Sequence, residues 1–307
     1  MRAWALLLLL AGPAAAQGPG CEALPAWIEL NYGLAPAGDG PPAAGPDGWC
    51  ELRGVMLGDP EAGPVAYRMD ALRWRGEGLD RLALGTGLPT AFEAQVDGFR
   101  VQPATGNPVM DYLFEVQGAR SGVDGRVALA WDAATRELRL QALDLDPPGR
   151  SRVRATATVA GLDLSSVAAL QLSAGSAGLT AFSAEVVMDG LFEDWLLLPL
   201  GPALLDGAPD PAAEVARLKE LALREIGRVP PTILPDPGRA EAAAFVDSLP
   251  TPSGTLRVRL TDGGPGLGAA RFARFVVTGL PSPADLWPAL EGVVATVDWE
   301  PLPPEEP

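Results

Sequence analysis

Residues 127–159, VALAWDAATRELRLQALDLDPPGRSRVRATATV, decide the fold class of this chain. Apolar and polar residues alternate in three runs, as where Leu138 and Leu140 are each followed by a polar residue. A period of two is typical of strands with one buried face and one wet face. Turn-forming residues separate the runs at 132–135 and 146–149. The stretch therefore predicts a three-strand antiparallel meander.

The same period of two extends outward along the chain. Short alternating runs, separated by glycine, proline and aspartate turns, cover residues 51–205, which we assign to an antiparallel β region. The apolar positions change parity at Ala142 and Leu143, and this change predicts a bulge in the second strand of the meander.

Beyond residue 205 the hydrophobic period becomes helical. Asp210-Pro211 is typical of a helix start, and the helix is predicted to end at Gly227. Its apolar stripe consists of Val215, Leu218, Ala222 and Ile226. A second helix is predicted from Asp236 to Leu249, and strands are predicted at 255–261 and 293–299.

These elements predict an α+β region at residues 206–300. The whole chain is then mainly β or α+β, an antiparallel meandering sheet with helices packed in its C-terminal part. Residues 267–277 fit helix or strand, residues 282–285 indicate a capped helix start, and residues 301–307 form a predicted disordered tail. Whether one core or two forms is left open.

The N-terminus is typical of a cleavable secretory signal at residues 1–16. Arg2 is followed by an apolar run at 4–10, and the alanines at 14–16 form a cleavage site, so we expect cleavage after Ala16. The run is far shorter than the roughly 20 residues of a membrane anchor. Cys21 lacks the preceding residues of a lipidation box. We therefore expect export to the periplasm and no transmembrane anchor after cleavage.

The two cysteines, Cys21 and Cys50, fit that compartment. An even pair in an oxidising environment predicts one disulfide. The bond would close a loop of about thirty residues and attach the N-terminal arm at 17–50 to the rest of the protein. Their wide spacing disfavours a redox role, because redox-active cysteines typically form a close C-x-x-C pair.

Composition excludes several classes of function. The formal charge of −16 disfavours non-specific binding to nucleic acid and to anionic lipid headgroups. The chain contains no histidine, which removes Ser-His-Asp and Cys-His nucleophiles and histidine-ligated metals. An enzyme would depend on carboxylates, on Lys219, which is the sole lysine, or on Tyr32, Tyr67 and Tyr112. We predict no catalytic residue, metal or cofactor.

The densest apolar segment, residues 191–205, is the candidate ligand or partner site. Its candidate residues are Leu191, Phe192, Trp195, Leu196 and Leu198. The alternative is ordinary core, because leucine and tryptophan most often lie there.

Two other motifs have structural alternatives. Residues 264–269 fit G-x-G-x-x-A after a predicted strand, but no βαβ series surrounds them, which favours a glycine-rich turn over a nucleotide site. Lys219 fits the base of a Ser-Lys hydrolase, but its place in the predicted helix favours a solvated surface lysine.

Acidic pairs and scattered tryptophans complete the candidates. Neighbouring carboxylates suit glycoside hydrolysis or calcium, although such an acidic chain produces pairs by chance. The pairs are Asp144 with Asp146, Glu193 with Asp194, and Asp298 with Glu300. Carbohydrate stacking or packing explains Trp74, Trp131, Trp195, Trp287 and Trp299 equally well.

Three short motifs carry a resemblance to a protein family. With the signal and the meander, the motifs Gly190-Leu191-Phe192-Glu193, Gly254-Thr255-Leu256 and Asp298-Trp299 resemble exported proteobacterial proteins. Their sheets are similar to those of AsmA-like periplasmic proteins. The likeness covers about residues 50 to 300 and carries over no functional residue.

The resulting expectation is a non-enzymatic periplasmic envelope protein. It would bind a lipid or another hydrophobic envelope component on a groove of the sheet. The alternatives are a carboxylate-based hydrolase acting on a polysaccharide and a structural partner in an envelope complex.

Overall fold

The computed structural model describes residues 20–45, 47–58, 65–103, 105–118, 121–272 and 286–303. They form two compact units, one ending at Gly122 and one beginning at Val123. Each unit combines antiparallel strands with helices, which confirms the predicted mainly β or α+β fold class. The expected signal at 1–16 and the expected helix start at 282–285 lie outside the described residues.

Among its described residues, the first unit contains four strands in chain order, each antiparallel to the next. They are β1 (Ala43–Ala44), β2 (Cys50–Leu57), β3 (Val65–Glu77) and β4 (Ala91–Pro103). Its helices are α1 (Ala23–Tyr32), α2 (Asp80–Ala83) and α3 (Pro108–Gly118).

The predicted disulfide between Cys21 and Cys50 is present in this unit. Their Cα atoms are 5.3 Å apart, and both residues are buried. Cys50 begins β2 directly opposite Trp74 of β3, whose side chain is fully buried. The bridge therefore joins the segment before α1 to the best-packed part of the sheet.

Within the described ranges of the second unit, six strands pair in chain order, all antiparallel. They are β5 (Val123–Asp132), β6 (Glu137–Asp146), β7 (Arg152–Ala160), β8 (Gly178–Met188), β9 (Gly254–Asp262) and β10 (Val293–Pro301). The predicted meander is β5, β6 and β7. The register between β6 and β7 shifts between Leu140 and Leu143, which confirms the predicted bulge.

In the part of this unit that the structure describes, the longer helices follow β7 and β8. They are α4 (Val167–Ala174) after β7, and, after β8, a π-helical turn (Phe192–Leu196), α5 (Leu197–Leu205), α6 (Pro211–Arg228) and α7 (Asp236–Ser248). A 3₁₀ turn (Trp287–Leu290) precedes β10. Asp210 caps α6 by accepting a hydrogen bond from the Ala213 amide, as the Asp210-Pro211 motif predicts.

Helices α2, α3, α4 and α5 interrupt residues 51–205, where the sequence analysis expects strands alone. Local capping explains two of them. The Asn107 side chain accepts a hydrogen bond from the Val109 amide at the start of α3, and Ser166 accepts one from Ala169 at the start of α4.

The strand register of the second unit sorts side chains onto two faces. One apolar row runs through Leu145, Val153, Val186, Leu256 and Trp299, which lie directly opposite one another on successive strands. On the other face the adjacent row alternates in charge. It consists of Arg126, Asp144, Arg154, Glu185, Arg257 and Asp298. The helices α5 to α7 therefore have one apolar face on which to pack.

No helix in the described ranges is both long and apolar enough to cross a bilayer.

Candidate functional site

The apolar segment at 191–205 divides between core and surface. Leu191 is buried in a cluster with Met188 and Trp299, and Trp195 packs against that cluster. Leu196, one residue further, is 38% exposed. The side chain of Leu198 lies outside the described part. The beginning of the segment thus anchors the helices to the sheet, as the core interpretation expects.

The end of the segment faces solvent. On α5, Leu197 is 40% exposed, Leu200 41% and Leu204 55%. Positions three and four apart lie on one side of a helix, so these leucines form a stripe. Exposed apolar stripes of this kind are typical of binding surfaces rather than of core helices.

This stripe borders a groove among α5, α6 and α7 with a volume of about 250 Å³. The lining side chains come from all three helices and are almost entirely apolar. They belong to Phe192, Leu197, Leu200, Leu204, Leu205, Val215, Leu218, Lys219, Ala222, Val246, Leu249 and Pro250, with Gly201 contributing backbone. We call this site the helical groove. It lies among helices, whereas the sequence analysis expects a groove on the sheet.

The predicted stripe of α6 forms one wall of the helical groove. Val215, Leu218 and Ala222 follow the 3.6-residue period from the Asp210 cap, so the sequence brings all three to one side. The opposite wall is α5, whose Gly201 leaves open space where a side chain would stand. The end of α7 closes the groove with Val246, Leu249 and Pro250.

Lys219 is the charged residue among those lining the helical groove. Its ammonium donates hydrogen bonds to the backbone carbonyls of Asp247, at 2.7 Å, and Leu249, at 2.9 Å. These carbonyls lie at the C-terminal end of α7, where cations are favoured. Lys219 thus joins α6 to the end of α7 instead of projecting freely into solvent.

The acidic strand pairs are held by arginines. Asp146 lies 2.8 Å from Arg152, and Asp144 lies 3.7 Å from Arg154. On the last strand, Asp298 and Glu300 both contact Arg257, at 3.2 and 3.1 Å. These carboxylates therefore stabilise neighbouring strands.

The remaining acidic pair is Glu193 with Asp194. These two residues are adjacent on one helical turn, and adjacent residues of a helix do not face each other. The described residues contain no group of three or more histidine, cysteine, aspartate or glutamate side chains placed to hold a metal.

The glycine motif at 264–269 serves chain packing. Leu267 exchanges two backbone hydrogen bonds with Leu179, at 3.0 and 2.9 Å, which brings Gly266 against Gly178. A Cβ atom on Gly266 would lie 2.5 Å from the Gly178 backbone. The glycine-rich turn is thus explained by a close approach of two backbones, without a nucleotide.

The five candidate tryptophans are engaged in packing. Trp74 and Trp299 are buried, and Trp195 packs against the cluster that contains Trp299. The Trp131 indole donates to the Leu162 carbonyl at 2.9 Å, and Trp287 is half-buried in its 3₁₀ turn. They do not form a shared stacking platform.

The sequence analysis misses the exposed apolar side of α3. Val109 is 66% exposed, Tyr112 63% and Leu113 51%. The signal for this helix is Asn107-Pro108, the same cap-and-proline pattern as Asp210-Pro211. The two acids of α3 are already engaged, Glu115 with Arg68 and Asp111 with Thr105.

No protein-family model matches the chain, and no curated protein matches its sequence.

Proposed function

We propose that this chain is a non-enzymatic periplasmic protein whose helical groove holds the aliphatic chain of a lipid or a similar hydrophobic envelope component. The observation that carries the proposal is the nearly uniform apolar lining of the groove, bordered by the exposed leucines of α5. Binding pockets for small molecules are typically apolar with a few placed polar groups, a composition that matches this one.

The volume of the helical groove limits the size of the ligand that it can hold. Its volume of about 250 Å³ is near the lower end of ligand pockets, which span roughly 300–1,000 Å³. A groove of this size suits one flexible chain or a small aromatic molecule. Burial of each methylene in it would contribute about 0.8 kcal/mol.

The periplasmic placement draws on two further observations. The residues before Gln17 have the three regions of a secretory signal, and the disulfide Cys21–Cys50 suits an oxidising compartment. The resemblance to AsmA-like envelope proteins points to the same compartment.

The polysaccharide hydrolase finds less support. Its mechanism needs a pair of carboxylates free to exchange protons and attack a sugar. Asp144, Asp146, Asp298 and Glu300 are instead paired with arginines.

Filling the groove tests the proposal. Gly201→Leu adds a side chain at a lining position of α5 with open space around it, so the helix should still form. We expect the affinity for the neutral fluorescent probe N-phenyl-1-naphthylamine to fall about tenfold. The added side chain would occupy part of the groove, so the bound probe would bury less of its own apolar surface.

The matched control is Gly227→Leu on α6, which also enters open space but does not line the groove. It should change probe affinity by less than about twofold. Equal affinities of the two variants would show that the helical groove is not the site. Loss of a co-purifying protein from the Gly201 variant, with unchanged probe binding, would favour the structural-partner alternative.

A further inference from the structure

We propose that the ligand of the helical groove is a single-chain fatty acid whose carboxylate binds Lys219. This inference rests on the proposed function and names the headgroup of its ligand. It depends on the position of one side chain, because Lys219 is the charged residue among those lining the helical groove.

The hydrogen bonds of Lys219 leave it able to bind an anion. A lysine ammonium has three donors, and the carbonyls of Asp247 and Leu249 use two of them. Both of these partners are carbonyl oxygens, so among the described residues the positive charge is met by the end of a helix and not by a carboxylate. A helix C-terminus supplies only about half a negative charge. One donor and part of the charge therefore remain for a ligand.

The surroundings make this charge distinctive. The chain carries a net charge of −16, which repels anions in general. On the sheet, Arg152 and Arg257 are already engaged by carboxylates. Lys219 instead lies beside an apolar surface that would receive the chain of an anionic ligand.

The groove favours a carboxylate over a phosphate. Phosphates are typically held by several donors or by the fork of an arginine, whereas a lysine is a point charge. One remaining N–H suits a headgroup with a single negative charge. The two carbonyls also fix the ammonium in position, so little side-chain freedom is lost on binding.

Competition between matched ligands tests the inference. Dodecanoate, dodecanol and dodecyl phosphate share one chain length and are titrated below micelle formation against N-phenyl-1-naphthylamine bound to the full chain. We expect dodecanoate to bind about tenfold more tightly than dodecanol, and its advantage to shrink at high salt because the contact is ionic.

Two substitutions locate the effect. Lys219→Met should remove the preference for dodecanoate over dodecanol, whereas Lys219→Arg should keep most of that preference. Circular dichroism reports whether each variant folds. The ratio of dodecanoate affinity to dodecanol affinity, measured on the unchanged chain, tests the inference even if the methionine variant does not fold.

The outcomes separate the two proposals. Equal binding of dodecanoate and dodecanol to the unchanged chain would overturn the carboxylate assignment and leave the apolar groove standing. Tighter binding of dodecyl phosphate than of dodecanoate would also overturn it. Failure of all three ligands and of the probe to bind would overturn both proposals.

Discussion

Gly266 and Gly178 bring two backbone segments of the second unit into direct contact. Gly266 has φ +98°, a conformation that residues with a side chain rarely adopt. On the other segment, a Cβ atom on Gly178 would lie 2.6 Å from the Pro265 carbonyl oxygen. Both glycines are therefore required by sterics, which explains a motif that resembles a nucleotide fingerprint.

Gly266→Ala should destabilise the protein by at least about 2 kcal/mol, because it adds a backbone collision to an unfavourable φ. Urea denaturation followed by circular dichroism measures the change. Gly263→Ala, in the same loop with open space around it, is the matched control and should stay within about 0.5 kcal/mol of the parent. Similar losses in both variants would contradict the steric explanation.

At the scale of elements, the charged row across β5 to β10 fixes how the strands of the second unit align. Glu185 of β8 lies directly opposite Arg154 of β7 and Arg257 of β9. The hydrogen bonds that Arg257 donates to Glu185, and then to Glu300 and Asp298, raise the pKa of Arg257 above its ordinary range. A one-residue slip of any strand would move its charge to the apolar face.

Glu185→Arg should lower the free energy of unfolding by about 1 to 2 kcal/mol, because like charges would then lie opposite each other on three successive strands. Thermal denaturation at low and high salt measures it, and salt should reduce the loss. Glu185→Gln removes the attraction without adding repulsion, so it should lower the free energy of unfolding by less than Glu185→Arg does. If the glutamine variant loses as much stability as the arginine variant, charge alternation does not explain the register.

At the scale of the whole molecule, the described residues fold as two compact units, and the disulfide belongs to the first of them. The cysteines are 29 positions apart in sequence. A cross-link of this length stabilises a fold by about 3 to 4 kcal/mol in the chain-entropy account, since it restricts the unfolded chain.

Replacing both cysteines by serine should therefore cost the first unit about 3 kcal/mol. Hydrogen exchange read by mass spectrometry should show faster exchange in β2 and β3, with β8 and β9 unchanged. The double variant avoids a free thiol, and reduction of the parent protein provides a second way to break the bridge. Equal acceleration in β8 and β9 would contradict a local role for the disulfide.

Local signals made much of the fold predictable. The alternation around Leu138 and Leu140, the bulge at Ala142 and the Asp210-Pro211 helix start each depend on residues close in sequence. Helix α3 was missed although Asn107-Pro108 marks its start, because the capping signal competes with a short apolar run that also fits a strand.

What the sequence by itself determined is therefore the strand period, the disulfide pair and the helices with strong caps, since these arise within one segment or from the cysteine count. The tertiary structure alone decided that Leu191 is core while Leu200 borders a groove, because Leu191 packs beside Trp299, more than one hundred positions along the chain. It likewise decided that Lys219 meets the end of α7. Such roles depend on contacts between distant segments, which periodicity and composition do not encode.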